Sequence, residues 1–257
     1  MKVAVLAENT ASSEHVVPQH GLSLYLETQN QKILFDMGQD DTFARNAQTL
    51  GIDLSQVDFA VVSHGHYDHG GGLETFLRIN HTAPVFIHPA AFGAHYNGTE
   101  KYIGLDPALR DTPRLIYTGA SKAITPNMRL TDCNELGWTI ENWVLNRKVD
   151  GVFCPDGFLH EQYLEITEGE KRILISGCSH KGIVNITAHF QPDVLIGGFH
   201  LNKLENLSEL ECIAHKLLTG KTKFYTGHCT GERQFSVMKT LMQERLQSIS
   251  TGSCIEI

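Results

Sequence analysis

Four times along this 257-residue chain, an apolar run gives way to small residues and then a histidine. The runs are VVSHGHYDH after Ala60, ILISGCSH ending at His180, VLIGGFH ending at His200 and FYTGHCTG around His228. Short apolar runs bounded by Gly or Ser read as buried strands, so each histidine falls where a strand leaves a sheet. If the strands run in one direction, their histidines collect at one edge. A single histidine in such a place is usually a satisfied core residue; four in series point to metal. The total of fourteen histidines, high for this length, agrees.

The rest of the pattern alternates strands with helices. Strands are expected at 3–6, 22–26, 33–35 and 57–63, and again at 172–176, 194–196 and 223–225. Helices are expected over 42–50, which Asp41 can cap and Gly51 can stop, then through Leu73, Phe76 and Leu77, and over 182–190, 207–218 and 231–245. This is an α/β rhythm. No linker, low-complexity segment or short repeat interrupts it, so residues 1–257 read as one domain. The stretch 89–113, rich in Gly, Pro, Tyr and His, has no clean period and is expected to be an irregular insertion, either a surface loop or an active-site lid.

Composition removes several function classes. With 21 basic and 29 acidic residues the formal charge is −8, and no cluster of five Lys/Arg occurs. A basic surface for nucleic acid is therefore not expected. Residues 1–8, MKVAVLAE, are too short an apolar stretch for a signal-peptide core, and no run approaches a membrane span; a cytoplasmic protein is expected. The six cysteines at 133, 154, 178, 212, 229 and 254 form no CxxC pair, which favours reduced thiols over a disulfide framework or structural zinc knuckle.

The densest chemistry lies in Ser63-His64-Gly65-His66-Tyr67-Asp68-His69, spaced HxHxDH. Two histidines one residue apart converge on one cation when the backbone turns tightly, and Gly65 is expected to permit that turn. Asp68 and His69 then point toward a second position. Neutral imidazole with carboxylate suits zinc, and also manganese or iron. We assign His64, His66 and His180 to one divalent metal ion and Asp68, His69 and His228 to another. Each trio leaves an open coordination position, as catalysis requires. Water bound there would have its pKa lowered toward about 7, supplying hydroxide at neutral pH. His200, the surplus histidine, is a candidate for substrate contact or proton transfer. Asp36, ending the apolar run ILF before Gly38, is placed to accept a hydrogen bond from a ligand imidazole. Gly227, Cys229, Thr230 and Gly231 form a strand-to-helix turn whose N–H groups could receive an anionic group. Cys178 and Cys229 flank proposed ligands and are secondary candidates.

FDMG, SHGHYDHGGGL and the strand-end histidines resemble the metallo-β-lactamase superfamily across nearly the whole chain. HGLSLYLE (with His20), ISGCSHKGIVNI, IGGFHL and YTGHCTGE are similar to its branch named for 7,8-dihydropterin-6-methyl-4-(β-D-ribofuranosyl)aminobenzene-5′-phosphate synthase. The resemblance implies an αββα sandwich of two similar halves with two metals at one edge. Two departures stand out. The superfamily usually carries a metal-bridging Asp on the strand after its third ligand histidine. Here the strand end that would carry it reads Ser176-Gly177-Cys178-Ser179-His180, and Asp193 lies at the start of its strand, the wrong edge. The bridge is then hydroxide, water or Cys178. The second departure is Gln19 before His20, where the branch more often has Glu, a change that bears on substrate contact.

Three functions follow from this reading. The first is a binuclear metal-dependent hydrolase in which metal-bound hydroxide attacks a small anionic ester, lactone or phosphate. The second, implied by the branch, is a transferase in which an aromatic ribosyl phosphate displaces pyrophosphate; Phe92, Tyr96 and Tyr102 are then candidates to stack on a flat ring, or else packing anchors. The third is a non-catalytic sensor that uses the metal to hold its ligand, against which the intact HxHxDH argues. Sequence sets no oligomeric state.

Overall fold

The computed structural model describes residues 1–139 and 145–257. The chain divides into two compact units: unit 1 comprises Met1–Gly119, Val144–Glu161 and Ser250–Ile257, and unit 2 comprises Ala120–Trp143 and Gln162–Ile249. No helix among the described residues is long and apolar enough to cross a membrane.

Unit 1 is built on a seven-stranded sheet ordered Cys254–Glu256, Lys2–Ala7, Ser23–Glu27, Lys32–Phe35, Phe59–Val61, Val85–Ile87 and Leu115–Tyr117. The first four strands pair antiparallel and the last four parallel. The parallel strands are short and buried, as expected of strands covered on both faces. Helices Thr42–Thr49 and Leu73–Ile79 supply Phe43, Ala47, Leu73 and Phe76 to a core with Leu34, Ala60, Val62 and Val85. Truncating a fully buried phenylalanine such as Phe76 to Ala costs about 3–5 kcal/mol in such a core. Asp41 precedes the first helix but makes no side-chain cap; Asp40 accepts the Thr42 N–H instead, at 2.8 Å.

The stretch 89–113 is more regular than its composition suggested. It contains strands Ala94–Asn97 and Lys101–Tyr102, which join Leu145–Val149 and Val152–Pro155 in a four-stranded antiparallel sheet of unit 1. Phe92 is buried in the main core of unit 1, while Tyr96 packs edge-on against Tyr102 and Phe153. All three aromatic rings thus have packing partners.

Unit 2 repeats the plan with a sheet ordered Leu246–Ser248, Lys223–Thr226, Val194–Ile196, Lys171–Ile175, Tyr163–Glu168, Met128–Thr131 and Ser121–Thr125. Its first four strands are mutually parallel. Helices Ile183–Phe190, Leu207–Leu218 and Glu232–Met242 cover it through Ile186, Leu210, Ala214, Leu217 and Met238. The 4- and 3-residue steps between Leu210, Ala214 and Leu217 place them on one helical face. Asn206 Oδ1 caps that helix by accepting the Ser208 and Glu209 N–H groups. All six cysteines are free thiols.

Candidate metal centre

In unit 1, Phe35 and Val61 are register partners on parallel strands, so the chain leaves the sheet side by side at Asp36 and at Ser63. Asp36 turns out of its strand at a left-handed φ of 59°, a conformation costly for a non-glycine residue unless the surroundings fix it. They do. Its N–H donates to the Val61 carbonyl, Oδ1 accepts the Ser63 N–H at 2.7 Å, and Oδ2 accepts the Ser63 hydroxyl at 2.7 Å. The same Oδ2 lies 2.7 Å from His69 Nδ1.

These bonds set two tautomers. A carboxylate only accepts, so His69 carries its proton on Nδ1 and leaves a lone pair on Nε2. Ser63 gives its single hydroxyl proton to Asp36, so its oxygen accepts from His64 Nδ1 at 2.8 Å. His64 therefore also presents Nε2 as an acceptor. One buried carboxylate orients two candidate ligands, His69 directly and His64 through Ser63.

The His64 ring centroid lies 4.5 Å from that of His66 and 4.1 Å from that of His69, and all three residues are buried. Burial holds His64 well below the ordinary histidine range, reinforced by the His69, His66 and His160 rings and opposed by Asp68. His66 is depressed in the same way, first by burial and then by His160. Neutral imidazoles beside a carboxylate are the donor chemistry a divalent cation takes. The residues fit the group.

Gly65 serves a different purpose from the one expected. Its φ is not positive; instead, a Cβ there would lie 2.1 Å from the Ala91 carbonyl oxygen. Close approach of backbone, not a special turn, is what requires glycine. Asp68 and His69 sit on the short helix Tyr67–Gly70. Asp68 Oδ2 is 3.3 Å from Nε2 of the half-exposed His20, and Gly21, at φ 141°, lets the chain press against the Asp68 carbonyl. Gln19 is occupied structurally, its amide bonding Asp40, Thr42 and the Gln39 N–H.

In unit 2 the parallel strands Lys171–Ile175, Val194–Ile196 and Lys223–Thr226 deliver His180, His200 and His228 at one edge of their sheet. Ser179, His200 and His228 have left-handed φ values of 57°, 51° and 49°, the same strand-end strain as Asp36. The His180 and His200 rings stand 4.1 Å apart between centroids. His200 Nδ1 is buried and makes no hydrogen bond among the described residues. The His200 N–H donates to Cys229 Sγ at 3.3 Å, and Cys178, His200 and Cys229 each place a ligand atom within 4.8 Å of the others. Burial alone would raise the Cys229 thiol, but hydrogen bonds with Cys178 and His200 and the adjacent His228 and His200 rings hold it well below the ordinary thiol range.

Two candidates in unit 2 take other places. Thr230 is fully buried with its hydroxyl accepting the Phe199 N–H at 3.0 Å and facing Thr226, so it ties two strand ends together. Asp193 accepts the Arg172 N–H at the start of the strands, at the opposite edge from His180. The pattern of strand-end histidines did not reveal His95, Asp156 and His160. These are buried in unit 1, with the His160 ring 5.2 Å from His66. The i,i+4 pair Asp156/His160 in PDGFLHEQ was the available signal.

Comparison with known proteins bears directly on this arrangement. Over its full length the chain is 28% identical to the 7,8-dihydropterin-6-methyl-4-(β-D-ribofuranosyl)-aminobenzene-5′-phosphate synthase of Methanocaldococcus jannaschii, covering 96% of that protein. A metal-dependent hydrolase of Staphylococcus aureus is 32% identical over 90 residues, 34% of this chain and 38% of that one. Among solved structures, a metal-dependent hydrolase of the β-lactamase superfamily matches with a TM-score of 0.86 at 29% identity, covering 100% of this chain and 99% of that one. The profile of the metallo-β-lactamase superfamily matches residues 16–216. Matched over most of its length and superposing end to end on a solved relative, the chain belongs to the metallo-β-lactamase superfamily and has its fold.

Proposed function

We propose that the chain is a metal-dependent hydrolase acting on a small anionic ester, lactone or phosphate. The observation that carries this reading is the Asp36-centred network, which aims lone-pair nitrogens of His64 and His69 from a buried cluster of neutral imidazoles. A purely structural polar turn would not need ligand-like tautomers at two buried histidines.

In this reading His64, His66, Asp68 and His69 are the ligand candidates of unit 1 and His180 and His228 those of unit 2, for divalent ions of which zinc is favoured by the donor set. Bound divalent metal supplies Lewis-acid polarisation and lowers the pKa of water toward neutrality. Asp36 fixes the ligand rings. His20, half-exposed beside Asp68, is placed to meet an anionic substrate group. His200 offers Nδ1 to carry a proton to or from a leaving group.

The test is turnover of a phosphoester and lactone panel by zinc-loaded protein and by Asp68→Ala. Loss of at least about 100-fold, in the range of general acid–base and metal effects, is expected; unchanged turnover removes the site. A second reading, a transferase, is favoured by the full-length similarity to a synthase. It predicts that pyrophosphate is released only when a second, aromatic substrate is added. Tight ligand binding with no turnover under any metal would favour the sensor reading instead.

A further inference from the structure

Unit 1 contains another set of ligand-type side chains. His66, His95, Asp156 and His160 are all buried, and each places a nitrogen or oxygen within 4.8 Å of the others. On residue type alone this group reads as one more cation site. Its hydrogen bonds oppose that reading.

His160 Nδ1 accepts the backbone N–H of Gly65 at 2.8 Å. A neutral imidazole that accepts at Nδ1 carries its proton on Nε2, and Nε2 faces Asp156 Oδ2 at 3.4 Å. A cation on Nε2 would drive the ring proton to Nδ1, against the Gly65 N–H, setting two donors face to face. Ligation by that nitrogen and the bond to Gly65 exclude each other. Asp156 Oδ2 also accepts from His95 Nδ1 at 2.7 Å, and His95 Nε2 lies 3.2 Å from the Ala90 carbonyl oxygen. Asp156 Oδ1 accepts the Phe158 N–H, so the carboxylate is anchored on both oxygens.

Gly65 is the residue between His64 and His66. The Ala91 carbonyl already abuts its Cα, where a Cβ would meet it at 2.1 Å, and His160 holds its N–H. We propose that His160, oriented by Asp156, is a positioning residue that locks the His64–Gly65–His66 turn and so presents both imidazoles to metal. This rests on the reading that these histidines bind metal. Asp36 acts on the ring nitrogens; His160 acts on the peptide between the rings. The two devices are independent, since they share no side chain.

The experiment measures zinc affinity of the full chain by competition with a chromophoric chelator, zinc stoichiometry at saturation, and the melting temperature of the metal-free protein. His160→Ala should bind zinc about 10–100-fold more weakly, the usual scale for groups that support ligands, with stoichiometry unchanged. His160→Asn, whose Oδ1 can accept the Gly65 N–H, should recover most of the loss. If His160→Ala does not fold, Asp156→Asn carries the test, because it keeps the imidazole but removes what orients it. Wild-type affinity in whichever of His160→Ala and Asp156→Asn folds overturns the proposal, as does a lowered melting temperature with unaltered affinity. Loss of one zinc equivalent at saturation also overturns it and makes the cluster a cation site. Failure of the wild-type chain to bind zinc at all would instead remove the parent reading.

Discussion

Asp36 Oδ2 and His69 Nδ1 lie 2.7 Å apart, with both side chains fully buried and 33 positions apart in sequence. The pair lies where two parallel strands end next to each other, and the carboxylate reaches back to Ser63 as well as to His69. Because a single carboxylate fixes the protonated nitrogen of two rings, its removal should disturb both at once. That makes Asp36 more consequential than a group supporting one ligand.

Asp36→Asn tests this. An amide can accept through one oxygen only, and its NH₂ would meet either the Ser63 N–H or the His69 Nδ1–H, placing donor against donor. Zinc affinity should fall by about 10–100-fold, measured by chelator competition, while Ser63→Ala, which breaks only the branch to His64, should fall by less. Equal losses in the two variants would show that Asp36 acts through Ser63 alone.

Gly65→Ala should destabilise the fold. Its Cβ would stand 2.1 Å from a backbone oxygen of Ala91, which no rotamer change can relieve. Overpacking of this kind costs about 1–3 kcal/mol, readable as a lower urea midpoint with an unchanged slope. An undiminished midpoint would mean that the segment around Ala91 yields easily.

The strand-end histidines and Asp36 were legible because the information is local: an apolar run, a small residue, then a polar one. The same locality explains what was missed. The strands in 89–113 and after Leu145 are half-exposed and pair with each other over about fifty residues, so no periodicity marks them. Their turns did carry signals. Asp150-Gly151 joins register partners Val149 and Val152 with φ values of 48° and 83°, the two-residue hairpin that Asp-Gly favours. Asn97-Gly98 similarly opens the turn between Tyr96 and Tyr102. The purpose of Gly65 was not readable, since it depends on the Ala91 carbonyl, and His160 reaches Gly65 across 95 residues. Contacts of that range lie in tertiary structure, and residue type alone gives His160 the look of a ligand.

Removing metal should lower stability. A ligand that binds only the folded chain stabilises it by RT ln(1 + [L]/Kd), about 2.7 kcal/mol at a hundredfold excess over Kd. For a chain of this size that is about 5–10 °C in melting temperature. Thermal scans with zinc and with chelator should differ by that amount for the wild type, and hardly at all for a His64→Ala/His66→Ala double variant. A shift of the same size in the double variant would place the stabilising metal elsewhere.

Asp156 gives the fold a pH signature. Burial would raise its carboxyl, but hydrogen bonds from His160 and His95 and the attraction of both rings outweigh this and hold it well below the ordinary carboxylate range. A carboxyl depressed in the folded state relative to its unfolded value of about 3.9 contributes stability above that pH, and the contribution is lost as pH falls toward the folded value. Asp156→Asn lacks that contribution at every pH. It should therefore be less stable than the wild type by about 1–3 kcal/mol at pH 7, the cost of breaking buried hydrogen bonds to a charged group. The gap should narrow from about pH 4 downward, as the unfolded wild-type chain takes up the proton. Urea midpoints of both proteins in chelator between pH 7 and pH 3 measure this, metal being absent so that ligand protonation does not enter. A gap constant across that range would mean that the Asp156 carboxylate is not held by His95 and His160.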